Sequence, residues 1–175
     1  KRSMSTYMKD YRIQWTKAML QRENRIVDAG LQGNLMQGVA FFASTSLFAV
    51  GGTLALLGAS DAALGALAHL PLVNPGNLTQ WTVKVATLTV IFIYAFFKFA
   101  WAFRLFNYGS AMIGAAPMAP VDEATANAYA RKVGKINNLG ALQFNRGIRA
   151  YFYALATLAW LINAWLFMGA VALVI

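Results

Sequence analysis

The sequence predicts an all-α protein: a polytopic membrane helical bundle with three transmembrane helices and two amphipathic helices on the cytoplasmic side. Three observations carry that expectation. Hydrophobic residues make up 59% of the 175, aromatic residues 14% and charged residues only 12%, an oilier mixture than soluble domains use. Three apolar stretches are long enough to cross a hydrocarbon layer of roughly 30 Å. Most of the Lys and Arg collect in two segments that flank those stretches. No stretch alternates as a porin strand would.

Residues 1–35 are the first basic segment. At about 100° per residue, Met4, Met8, Tyr11, Trp15, Met19 and Ile26 share one stripe, with Lys9, Lys17 and Asn24 opposite, which predicts one interfacial helix over residues 3–29. Arg22 points into the apolar stripe, either snorkelling along its aliphatic stem or pairing with a neighbouring segment. Asp28 is placed for an ion pair with Arg25 one turn back. Gly30, Gly33 and Gly38 are expected to turn the chain from the surface into the first span.

That span covers residues 36–58, "MQGVAFFASTSLFAVGGTLALLG". Gly38, Thr45 and Gly52 recur every seven residues, and Gly51 with Ala55 forms a small-xxx-small pair, the pattern that lets another helix come close. Ser44, Thr45 and Ser46 are expected to hydrogen-bond to a neighbouring helix or one turn back. Residues 59–80 contain no Lys or Arg; "DAALGALAHL" reads as a short helix capped by Asp61, and His69 as an interfacial packing residue. Asn74, Pro75 and Gly76 make a turn ahead of Trp81.

The second span covers residues 81–105. A second amphipathic helix is expected over 120–148, begun by Pro120 and capped by Asp122, with Ala126, Tyr129, Val133 and Ile136 on one face and Arg131, Lys132 and Lys135 on the other. Gly134, Gly140 and Gly147 predict a break or bend within it. The third span covers residues 150–173, with Asn163 near its middle as interhelical glue.

Orientation follows from the positive charges. Residues 1–35 and the connection 104–149 are basic, while 59–80 is not, so the basic segments are expected on the cytoplasmic face of the membrane and Ile175 outside. The net charge of +9 fits anionic head groups better than nucleic acid in so apolar a chain.

The composition also excludes chemistry. Cysteine is absent and His69 is the one histidine, which leaves no ordinary zinc set. No phosphate loop, nucleophile elbow or H-E-x-x-H helix is present. All six acidic residues lie outside the spans, whereas proton relays and cation-coupled carriers place carboxylates near the bilayer midplane. Lys98 falls roughly 7 Å on the cytoplasmic side of the second span's midpoint. It reads as a cation of the aromatic belt together with Tyr94, Trp101 and Arg104; the alternative is a buried cation lining a cavity. No catalytic residue, cofactor or metal is expected.

With "RENRIVDAGLQGNLMQGVAFFASTS" at 22–46, "FAWAFRLFNYGSAMIGAAP" at 99–117 and "NNLGALQFNRGIRAYFYALATLAW" at 137–160, the chain resembles an uncharacterised family of bacterial integral membrane proteins, domain of unknown function 599. The resemblance implies one further span ahead of the basic stretch, hence four spans with both ends outside. It implies no activity, cofactor or catalytic residue. The functional expectation is a non-catalytic accessory or scaffold subunit that packs with other membrane proteins or copies of itself and binds anionic lipid. A small oligomeric channel or anion transporter is the alternative. Lipid or partner contact is expected at Arg22, Arg25, Lys98, Arg104, Arg146 and Arg149, and helix packing at Gly38, Thr45, Gly51, Gly52, Ala55 and Asn163.

Overall fold

The structure, a computed structural model, describes residues 4–68 and 76–174. His69, Asn74, Pro75 and Ile175 therefore lie outside the described residues. Six helices follow one another there: α1 (Met4–Leu20), α2 (Ile26–Gly58), α3 (Ser60–Ala68), α4 (Leu78–Gly114), α5 (Glu123–Ile162) and α6 (Ala164–Val174). No strand occurs among the described residues.

The first surface helix is shorter than its periodicity suggests. α1 closes with the tight bonds Gln21 N–H to Ala18 O and Arg22 N–H to Met19 O, which use up carbonyls that a helix end leaves open. Asn24 Oδ1 then accepts the Ile26 N–H at 2.9 Å, a local side-chain turn that competes with helix. The chain thus turns at residues 21–25, not at Gly30, Gly33 and Gly38, which lie inside α2.

Asn77 starts α4 as its cap, its Oδ1 accepting Gln80 N–H and its carbonyl accepting Trp81 N–H. Gly76 precedes it at φ +74°, a left-handed backbone that glycine adopts without penalty. Asp122 caps α5 through Thr125 N–H at 3.0 Å. α5 then runs unbroken for 40 residues through Gly134, Gly140 and Gly147. Two of these glycines are sites of close approach: a Cβ at Gly134 would stand 2.7 Å from Ile13 Cγ1, and one at Gly140 3.1 Å from the Phe106 ring. α3 begins at Ser60, so Asp61 sits in its first turn instead of capping it.

The third apolar stretch is not one rod. Among the described residues two helices, α2 and α4, are long and apolar enough to cross a membrane. Residues 150–173 divide at Asn163 into the end of α5 and the 11-residue α6. Asn163 N–H closes α5 on Ala159 O, its carbonyl accepts Phe167 N–H, and its Oδ1 accepts Trp165 N–H at 2.9 Å. It therefore ends one helix and caps the next. A straight helix would hold Ala150 and Val171 about 30 Å apart, yet both line a single groove of about 560 Å³ together with Tyr153, Thr157 and Phe167. α6 folds back along α5, and Trp160 stacks on Phe167 across the bend at 5.2 Å.

The chain forms two units, Lys1–Phe41 with Phe99–Phe144, and Phe42–Lys98 with Asn145–Ile175. In the first, Met19, Leu20, Ile113, Ala116 and Ala126 make an apolar core against Trp15, Val121 and Tyr129. In the second, Tyr151 of α5 is the meeting point. Its hydroxyl pairs with Ser46 Oγ of α2 at 3.0 Å, and its ring meets Phe42 and Phe92 edge-on.

Candidate functional site

The first unit contains a buried polar knot. Asp28, in the first turn of α2, is fully buried. Its Oδ1 accepts two charge-assisted bonds, from Trp15 Nε1 of α1 at 2.7 Å and from Arg22 Nη1 of the intervening turn at 2.5 Å. One turn further along α2, Gln32 Nε2 donates to Phe106 O of α4 at 2.8 Å and to Asn137 Oδ1 of α5 at 3.2 Å. Gly109 of α4 lies flat against that pair; a Cβ there would fall 2.3 Å from Asn137 Oδ1. Arg12 of α1 donates to Asn138 Oδ1 at 2.9 Å, and burial holds its guanidinium below its ordinary value.

Arg25 does not pair with Asp28. Its two terminal nitrogens donate to Ala116 O at 3.0 Å and Pro117 O at 2.5 Å, carbonyls left open after the end of α4. The carboxylate instead meets Arg22, which the loop at 21–25 brings back onto it. Tyr129 Oη donates to Met112 O at 2.6 Å, and burial raises its pKa while the Arg25 charge opposes the rise.

The other expected site residues are spread out. Lys98 lies 5.0 Å above the Tyr94 ring, and Arg104 lies 5.6 Å from both Trp101 and Tyr108 while its Nε donates to Tyr108 Oη. Arg146 and Arg149 are exposed and make no ion pair among the described residues. Gly38, Gly51 and Gly52 have nothing within 4 Å of a would-be Cβ; Ala55 is exposed and Thr45 half-buried. Asn163 spends its side-chain oxygen on its own backbone.

Sequence reading missed Gln32 and Asn137. The spacing of Gln32 four residues after Asp28, which puts two polar groups on one side of an apolar helix, was the available signal. Lys84, which the sequence places near the outer aromatic belt and which with Lys98 and Arg104 carries the anion-pathway alternative, is only 8% exposed in the structure.

Chemically the knot is a fastening. It presents one carboxylate already holding two donors, and no group of three or more His, Cys, Asp or Glu is gathered among the described residues. Asp28 Oδ2, Gln32 Oε1 and Asn137 Nδ2 are buried without a partner, so its hydrogen-bonding capacity is not exhausted.

Fold and knot together define an all-helical protein with two helices of membrane-spanning length and composition, fastened by polar side chains. The chain belongs to the family described as protein of unknown function, DUF599, whose profile matches residues 1–175. No curated protein and no solved structure matches it.

Proposed function

We propose that the protein is a non-catalytic integral membrane subunit that packs with copies of itself or with other membrane proteins and holds anionic lipid. One observation carries this reading: the most apolar windows of α2 and α4 are only 17% and 33% buried by the chain itself. A core helix of a soluble protein is covered by its own fold; these helices present Phe48, Leu54, Val90 and Phe97 outward, which suits lipid or another helix. On α2, Gly51, Gly52 and Ala55 add a face that a neighbour can approach closely.

In this reading the basic segments face the cytoplasm of a bacterial inner membrane. The α5–α6 bend enters the bilayer as a hairpin in place of a third crossing. Arg146 and Arg149 meet lipid phosphate, while Arg22 and Arg25 serve the fold.

Because the wild-type chain lacks cysteine, Ala55→Cys provides a single crosslinking site. The expected result is a crosslinked dimer in native membranes, lost when Gly51→Leu is added. A protein that stays monomeric under crosslinking, and leaves mild detergent extraction with neither partner nor anionic lipid, overturns the proposal. The channel or anion-transporter reading rests on Lys84, a nearly buried cation in a pocket that Thr79, Gln80 and Asn163 also line. Solute flux in proteoliposomes abolished by Lys84→Ala with assembly intact would select it.

A further inference from the structure

The second unit contains a buried cation that meets no counter-charge among the described residues. Lys84, on the second turn of α4, is more than nine-tenths buried, yet makes no hydrogen bond or ion pair among the described residues. Its nearest interaction is the Trp160 ring, 5.9 Å from Nζ. The side chain as a whole is enclosed but the ammonium keeps an opening, into the pocket that the residue lines. Lys84 lines a pocket of about 580 Å³ between the first turns of α4 and the α5–α6 bend.

The pocket's polar groups are suited to an oxyanion. Beside the ammonium stand the Thr79 hydroxyl and Asn163, whose Oδ1 is taken by Trp165 N–H and whose Nδ2 donors remain. No carboxylate lines it among the described residues. Trp160 and Trp165 supply the apolar walls. One turn further along α4, and again along α6, the groove lined by Val90, Ile91, Phe167 and Val171 offers about 560 Å³ of almost wholly apolar space. Head pocket and apolar groove thus follow each other between the same three helices.

The geometry points to a binding site for an anionic amphiphile, its phosphate or carboxylate head on Lys84, Thr79 and Asn163 and its acyl chain in the groove closed by α6. The site rests on the membrane reading above but not on contact between copies. It explains why the apolar C-terminal helix folds back: α6 closes one wall of the groove, and the bend at Asn163 aims an amide at the head.

The test uses the full chain in a neutral detergent, titrated with phosphatidylglycerol, phosphatidylcholine or inorganic phosphate. Bound lipid is read by native mass spectrometry, and the pocket by tryptophan fluorescence. Phosphatidylglycerol is expected to bind one to one and shift the fluorescence. Lys84→Gln should weaken it by about tenfold or more, the loss of one charge-assisted bond, and Lys84→Arg should restore it. Val90→Trp, which fills the groove and spares the head pocket, should also weaken the lipid. Inorganic phosphate binding as well as phosphatidylglycerol would overturn the acyl-chain assignment and leave a free oxyanion as occupant. Undiminished one-to-one binding of phosphatidylglycerol by Lys84→Gln, or equal binding of phosphatidylcholine, would overturn the site. If Lys84→Gln fails to fold by circular dichroism, the Val90→Trp result decides. Crosslinking between copies through Ala55→Cys should be unaffected by Lys84→Gln, so failure of this site and failure of the packing proposal are told apart.

Discussion

Gly109 is where an ordinarily stabilising change should destabilise. Replacing a helix-interior glycine by alanine contributes about 1 kcal/mol through backbone entropy. At Gly109 the new methyl would sit 2.3 Å from Asn137 Oδ1 and 3.0 Å from Gln32 Nε2. Both side chains are fully buried, so they cannot swing out to water, and the Gln32 to Asn137 bond must break. Each buried polar group left without a partner costs about 1–3 kcal/mol. The broken bond leaves Asn137 Oδ1 without a partner while Gln32 Nε2 keeps Phe106 O, so against the propensity gain Gly109→Ala is expected to lose up to about 2 kcal/mol net. Gly33→Ala on α2 is the control, because nothing lies within 4 Å of its Cβ position; it should be neutral or gain up to about 1 kcal/mol. Reversible unfolding of both variants in the same detergent, followed by circular dichroism, compares them directly. A Gly109→Ala protein as stable as Gly33→Ala would refute the reasoning, since it would mean that the Gln32–Asn137 contact is not closed.

The Asp28 fastening predicts coupling: Arg22→Gln and Trp15→Phe should each cost about 1–3 kcal/mol, and a double-mutant cycle should show that they are not additive, because both donors share one oxygen. Spin labels on Ala150→Cys and Val171→Cys should report a distance far below the roughly 30 Å of a continuous helix; a distance near that value would refute the bend. Asn163→Leu, which removes the cap of α6, should broaden that distance distribution. Acid titration concerns Asp122, whose carboxyl is held below its usual range by hydrogen bonds from Thr125. A depressed value means that its contribution is present above the unfolded value, near pH 4, and is lost as pH falls through the folded one. The protection of amides in the first turn of α5, taken relative to intrinsic exchange at each pH, should fall over that acid window, and Asp122→Asn, a cap that does not titrate, should remove that fall.

Much of the architecture is legible in the sequence because its causes are local. Long apolar runs announced α2 and α4, and Asp122 announced the start of α5, since capping needs only residues a few places apart. The glycines of α5 were legible as unusual but not in their use. Their cost in helix propensity suggested breaks, whereas Gly134 and Gly140 are kept for the close approach of Ile13 and Phe106. The knot was partly legible. Arg22 as an apolar-face exception and Asp28 as a lone acid were both visible, but their pairing needed the turn at 21–25.

Composition, charge segregation and apolar length by themselves determined that this protein is helical and apolar, because those properties depend on each residue and its near neighbours along the chain. Only the tertiary structure decided that residues 150–173 form a bend instead of a rod, that Asp28 meets Arg22 instead of Arg25, and that Lys84 is buried with no ion pair among the described residues. The physical reason is that those outcomes depend on which groups are brought within about 3–6 Å by folding. Asn137 and Gln32 are 105 residues apart in the chain, and no local pattern sums over such a separation.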